Sequence, residues 1–290
     1  MDASSRLALD VARERLEELT RPASGLLARA RDVVTRQPRV NTDAEMLDVA
    51  GELFAVGRLL DGQPALRRAL SDPSGKPDDL AALAARLFSG KVSGVTLDLV
   101  ETVARQRWSR PSDLVDAMTT LGTEAALDAA DTAGTLDDVE DELFRFGRIV
   151  SGNRELSRIL SDRSAPIEGT GALIDRLLAG KVSPVTDLLL RNVLTSRRVG
   201  SAEVAVERLS EAASRRRGQS VARVTTAVAL TTAQEERLTA VLGRLYGRTI
   251  GLQVTVDPDV LGGLVVQVGD EVIDGSVAHR LEAARRRLAG

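Results

Sequence analysis

Two glycine-lysine pairs, Gly90-Lys91 and Gly180-Lys181, are the first residues in this chain whose types suggest chemistry, because glycine-rich loops ending in Gly-Lys cradle phosphates. Such a loop also needs a glycine five positions earlier and Ser or Thr after the lysine. Ala85 and Asp175 stand at the early position, and Val92 and Val182 at the late one. Both glycines therefore read as helix-terminating residues, and nucleotide binding is not expected. His279 is the single histidine, and no cluster of ligands surrounds it, so it reads as a surface residue of a last helix rather than a metal ligand. Asp137, Asp138, Glu140, Asp141 and Glu142 could supply paired carboxylates for acid-base work, but opposite-sign neighbours mark them as a solvated helix face. Arg215 to Arg217 could grip acidic lipid or a partner's carboxylates, with a solvated helix end before a linker as the bland alternative. Trp108, beside Arg105, Arg107 and Arg110, is either a packed core residue or an exposed interface anchor. No catalytic residue, cofactor site or metal site is expected from these motifs.

The composition narrows the function further. At 290 residues the chain can hold two or three modest domains, and 43% hydrophobic content suffices for a core. Only 2% of residues are aromatic, so that core must be Leu, Val and Ala, which suits packed helices. A net charge of -3 gives no bulk attraction to nucleic acid, and one Trp, one Tyr and four Phe cannot build a base-stacking platform. The absence of cysteine fits a reducing compartment. The N-terminus is charged throughout, unlike a signal peptide, and no run approaches the roughly 18 apolar residues of a spanning helix. A soluble chain is expected, with any membrane association supplied by a partner.

The elements that carry these residues are mostly helical. Apolar spacing predicts helices from Ser5 to Leu19, Leu26 to Val34, Asp43 to Leu60, Asp79 to Phe88, Thr96 to Gln106 and Ser112 to Leu121. The order then returns. Glu52-Leu53-Phe54, Gly57-Arg58, Gly62 and Leu70-Ser71-Asp72 reappear about 90 residues later as Glu142-Leu143-Phe144, Gly147-Arg148, Gly152 and Leu160-Ser161-Asp162. Lys91-Val92-Ser93 and Val95-Thr96 reappear as Lys181-Val182-Ser183 and Val185-Thr186 at the same offset. A unit this long exceeds the roughly 20 to 50 residues of solenoid repeats, so each copy reads as a whole helical bundle. In the second copy Thr135 with Asp138 resembles a capping box, Gly152 and Gly180 lie where helices stop, and Ser183-Pro184 reads as N-cap and first helical position.

Past Arg215-Arg216-Arg217-Gly218-Gln219 the pattern changes. A strand is expected from Val221 to Val228, then a helix opened by Thr231-x-x-Gln234 and ended at Gly247. Leu252, Val254 and Val256 alternate with polar residues, and Leu264, Val266 and Val268 share one parity, which reads as two neighbouring half-buried strands. Asp257-Pro258 turns between them, Gly262-Gly263 marks a bend or a close approach, and Gly269-Asp270 reverses the chain into Val272-Ile273. Asp274-Gly275-Ser276 closes that strand, with Ser276 as N-cap of a helix from Val277 to Leu288.

This ordered series, Asp257-Pro258, Leu261-Gly262-Gly263-Leu264, Val266 to Gly269 with Asp270, and Val272-Ile273-Asp274-Gly275-Ser276 followed by Arg280-Leu281, resembles the C-terminal signature of the F-type ATP synthase delta subunit. That family includes the mitochondrial oligomycin-sensitivity-conferring protein. The second copy, in particular Leu136 to Val150 and Leu173 to Leu190, looks like the family's helical bundle; the first copy is extra length that resembles actinobacterial members. The expected fold is α+β: two related all-helical bundles, residues 1–124 and 125–216, followed by a small α+β domain with a short β-sheet, residues 217–290. The resemblance implies a non-catalytic stator linker between the N-terminal segments of ATP synthase alpha subunits and the b subunits, at the cytoplasmic face of the cell membrane, without cofactor or nucleic acid. A helical adaptor in an unrelated complex, or an enzyme with an unrecognised site, is the competing expectation.

Overall fold

The computed structural model describes residues 1–20, 40, 42–198, 200–219, 221–246, 250–257, 262–268 and 271–275. The chain forms two compact units, Met1–Ser210 and Glu211–Gly290. The expected helix from Leu26 to Val34 and the last helix, Val277 to Leu288, lie outside the described residues.

The first unit is helical. Its elements are α1 (Ala3–Thr20), α2 (Asp43–Gly62), α3 (Pro64–Leu70), α4 (Pro77–Phe88), α5 (Gly94–Arg105), α6 (Pro111–Thr132), α7 (Leu136–Gly152), α8 (Arg154–Leu160), α9 (Ile167–Leu178), α10 (Pro184–Leu194) and α11 (Ala202–Gln219), the last containing the boundary between the units. Helices α3 and α8, and α4 and α9, begin and end on positions related by the sequence repeat. Proline opens α3, α4, α6 and α10, where its missing N–H costs nothing.

One helix belongs to both copies. α6 closes the first copy against α2 and α1 and also packs on α7 and α10 of the second. It is buried on most sides, through Leu114, Val115, Met118, Leu121, Leu127 and a series of alanines. The expected end near Leu121 is corrected by this, because α6 runs eleven residues further, to Thr132, and residue 124 lies inside it. Gly122 does not stop the helix. It lets α2 approach, since a Cβ there would lie 2.6 Å from Phe54 Cε1 and 3.2 Å from the Ala50 carbonyl. Gly57 on α2 serves the same contact, its Cβ position being 3.3 Å from Met118 Cβ. A core poor in aromatics is close-packed in this way by small residues.

α6 ends instead at Gly134, with φ +71°, where Thr135 N–H donates to Ala130 O at 2.8 Å and Gly134 N–H to Asp131 O at 3.1 Å. This pair of bonds forms a Schellman closure. The expected capping box at Thr135 and Asp138 is absent for that reason: Thr135 finishes α6, and its side chain makes no cap to α7. The other boundary signals hold. Gly90 and Gly180 have φ of 71° and 66° just past α4 and α9, and the Ser183 side chain accepts from Thr186 N–H ahead of Pro184.

The second unit carries a four-stranded sheet, β1 (Val221–Thr226), β2 (Gly251–Val256), β3 (Leu264–Val268) and β4 (Glu271–Asp274), with α12 (Thr232–Tyr246) between β1 and β2. Thr231 and Gln234 form the expected capping box, with Thr231 N–H donating to Gln234 Oε1 at 2.9 Å. The strand order is β2-β1-β3-β4, β1 pairing parallel with β2 and antiparallel with β3. The two alternating runs are therefore not neighbours, which corrects the sequence reading. β1 lies between them because the α12 crossover returns β2 parallel to it, leaving the opposite edge of β1 for β3. Ala222, Val224 and Thr226 of this central strand are buried, and Leu238, Leu242 and Tyr246, four apart on α12, cover the same sheet face.

Candidate interaction surfaces

Each copy is locked by the same polar constellation. The Glu52 carboxylate of α2 accepts Ser93 N–H at 3.0 Å, Ser93 Oγ at 2.7 Å and Thr96 Oγ1 at 2.5 Å, at the start of α5. At the repeat-related position the Glu142 carboxylate of α7 accepts Ser183 N–H at 3.0 Å and Ser183 Oγ at 2.9 Å. A helix N-terminus offers unpaired N–H groups and the positive end of its dipole, so a carboxylate belongs there. Glu142 is thus not part of the solvated acidic face expected of residues 137–142. Asp137, Asp138 and Asp141 are exposed, and Asp141 pairs with Arg145 at 3.4 Å. Asp72 and Asp162 also repeat, each accepting N–H and Oγ of a serine two residues on, which holds both carboxyls below the usual range.

The two copies are joined in part by residues in which they differ. Arg198, after α10, donates to Asp61 at 3.0 Å and to Asp116 at 2.7 Å. Nearby, Arg58 of α2 donates to Asn192 of α10 at 3.3 Å, and its burial lowers its pKa. Replacing Arg198 by methionine keeps the aliphatic stem and removes both ion pairs. At this partly exposed site the loss is about 1–2 kcal/mol, read as an earlier midpoint of urea unfolding with unchanged far-UV circular dichroism, and shrinking at raised salt.

Identical residues also meet different fates. Phe54 is 1% exposed under α6, whereas its counterpart Phe144 on α7 is 59% exposed, as is Ile149 at 57%. The second copy therefore presents an aromatic side chain to solvent where the first copy buries one. Trp108 is core, with Nε1 donating to Val103 O at 2.9 Å. Arg215 and Arg217 are exposed, and Arg215 reaches Glu211 at 3.6 Å. Among the described residues no group of His, Cys, Asp or Glu is placed to hold a metal, and no helix is long and apolar enough to cross a membrane.

In the terminal unit Gly262 and Gly263 have φ of 119° and 81°, the left-handed side that glycine favours. They set the chain into β3, with Thr226 Oγ1 donating to Gly263 O at 3.4 Å. Asp257 N–H donates to Thr226 O at 2.9 Å, Ile273 and Asp274 pair with Val266 and Val265, and Gly275 N–H donates to Leu264 O at 2.9 Å. Pro258, Leu261, Gly269, Asp270, Ser276 and His279 lie outside the described residues. The edge strands β2 and β4 expose Val256, Val272 and Ile273, and α12 exposes Val241 and Leu245. Gly263→Val forces a β-branched residue to positive φ, at about 2 kcal/mol or more, so the thermal transition of the sheet unit falls while that of the helical unit stays.

The family model for the ATP synthase delta (OSCP) subunit matches residues 123–288. The chain belongs to this family. Relatives named ATP synthase subunit delta are similar over nearly its whole length: one from Streptomyces griseus is 46% identical across 100% of both chains. Another, from Acidothermus cellulolyticus, is 47% identical over 96% of this chain and 98% of its own. The family model thus covers the second copy and the sheet unit, while these relatives extend through the first copy. A chain in the cryo-EM structure of the Toxoplasma gondii mitochondrial ATP synthase hexamer aligns at 17% identity and a TM-score of 0.31, over 58% of this chain and 95% of that one.

Of the residues that shape these surfaces, sequence reasoning missed Arg198, Asp61, Asp116 and the role of Glu52 and Glu142. A signal for Arg198 was available, since the repeat aligns it with buried Trp108. A replacement of that size inside an otherwise faithful repeat marks a position whose surroundings differ between copies.

Proposed function

We propose that the chain is a non-catalytic stator subunit of the F-type ATP synthase, holding the catalytic head to the membrane-anchored b subunits. The observation that carries this reading is full-length similarity to proteins named ATP synthase subunit delta. The helical unit receives the N-terminal segments of alpha subunits as amphipathic helices, and the sheet unit docks on b. Phe144 and Ile149 on the helical unit, and the exposed apolar residues of β2, β4 and α12 on the sheet unit, support two separate grips. Attachment to the cytoplasmic face of the plasma membrane then passes through partner subunits.

The load is mechanical. A nanomolar attachment corresponds to about 12 kcal/mol, and engagement by both helical copies raises avidity by roughly a hundredfold. In membranes from cells lacking the chain, the head is expected to wash off at low salt and ATP-driven proton pumping to collapse, both restored by adding the purified protein. Fully coupled pumping and a retained head without it would overturn the assignment. Titrating the full chain with a peptide from the start of an alpha subunit, and separately with one from the end of b, tests the division of labour.

A further inference from the structure

Where the two copies abut, the helical unit has a cleft of about 870 Å³ between α2, the start of α5 and α10. Asp48, Gly51, Glu52 and Ala55 face it from α2, and Pro184, Asp187, Leu188 and Arg191 from α10. Both sets follow helical spacing, so the cleft is a groove between two helices rather than a hole in one bundle. Along α2 from Glu45 to Ala55 the groove is about 15 Å long, the length of nearly three helical turns. Leu47, Ala55 and Leu188 give it apolar contact surface. At its centre Gly51 leaves open space, for a Cβ built there meets nothing within 4 Å.

Charge decides what the groove accepts. Among the described residues that line it, Glu45, Asp48, Glu52 and Asp187 are acidic, against a single cation, Arg191. That cation is already met by Asp187 at 2.8 Å and Asp175 at 2.7 Å. The rim is therefore negative over an apolar floor. We propose that this groove is a docking site for a short amphipathic helix of a neighbouring subunit, one bearing lysine or arginine beside its apolar stripe. The inference rests on the stator reading, because a subunit that holds a complex together is surrounded by such segments. The site draws on both copies, so it arises from the duplication and is absent from a single helical bundle.

The groove can be filled without breaking the fold. Gly51→Leu improves helix propensity, its Cβ has nothing within 4 Å, and its side chain extends into the groove. Asp48→Lys inverts the rim at an exposed position. The test titrates the full chain against a fluorescent 18-residue peptide with leucine on one helical face and lysine elsewhere, and against the same peptide with glutamate for lysine. Expected are binding of the lysine peptide, about tenfold or greater weakening by each substitution with unchanged circular dichroism, and no binding of the glutamate peptide. No binding by the wild-type chain, or binding indifferent to both substitutions, overturns the proposal. Co-purification of the chain with ATP synthase reports on the stator reading by itself, so the two can fail separately.

Discussion

Replacing Gly122 by valine is expected to lower the stability of the helical unit by about 3 kcal/mol, the upper part of the range for overpacking a close-packed core. The Cβ alone would sit 2.6 Å from the ring of Phe54, and that ring is 1% exposed and has nowhere to turn. The Ala50 carbonyl blocks the other side at 3.2 Å. α6 must then retreat from α2 along the longest helix pairing of the unit, and because α6 also packs on α7 and α10 the disturbance reaches the second copy. Chemical unfolding of the full chain measures the loss. Phe54→Ala on its own costs about 3–5 kcal/mol through the cavity it leaves, but combined with Gly122→Val the two should compensate by about 1–3 kcal/mol in a double-mutant cycle. Strict additivity would show that the glycine is not there for the ring.

Glu52→Ala and Glu142→Ala should cost about 2–3 kcal/mol each. In each case an acceptor for Ser N–H and Oγ disappears from a helix N-terminus, and Thr96 in the first copy loses its carboxylate partner as well. The first substitution is expected to be the larger for that reason. Glutamine restores part of the loss, because its amide oxygen accepts while its charge is gone. Thermal unfolding of the four variants and the wild type compares the copies within one molecule. Equal and negligible effects would reduce both constellations to surface decoration. The locks tie α2 to α5 and α7 to α10, and α2, the start of α5 and α10 line the groove between the copies, so loosening either should weaken the lysine peptide there too.

Local devices were legible in the sequence. The repeat spacing located paired helices, Ser183-Pro184 and Thr231-x-x-Gln234 opened helices as their chemistry requires, and Gly262-Gly263 occupies positive φ. The Thr135 signal failed because the same threonine also stands just past Gly134, and closing the longer helix took precedence. The helix end expected at Leu121 and the solvated reading of Glu142 failed differently. A glycine in a helical run looks like a stop until a facing ring is known, and an acidic residue among acidic residues looks solvated until a distant helix start is brought to it.

Sequence by itself determined many of the described elements, their repeat, the family and the lack of aromatic bulk, since periodicity, capping and turn chemistry act over a few residues. Tertiary structure alone decided three things: that β1 lies at the centre of the sheet, that α6 serves both copies, and that Phe54 is buried while Phe144 is exposed. The physical reason is common to all three. Alternation and spacing specify which face of an element is apolar, whereas the neighbour that covers that face comes from residues far along the chain, and two identical segments can meet different ones.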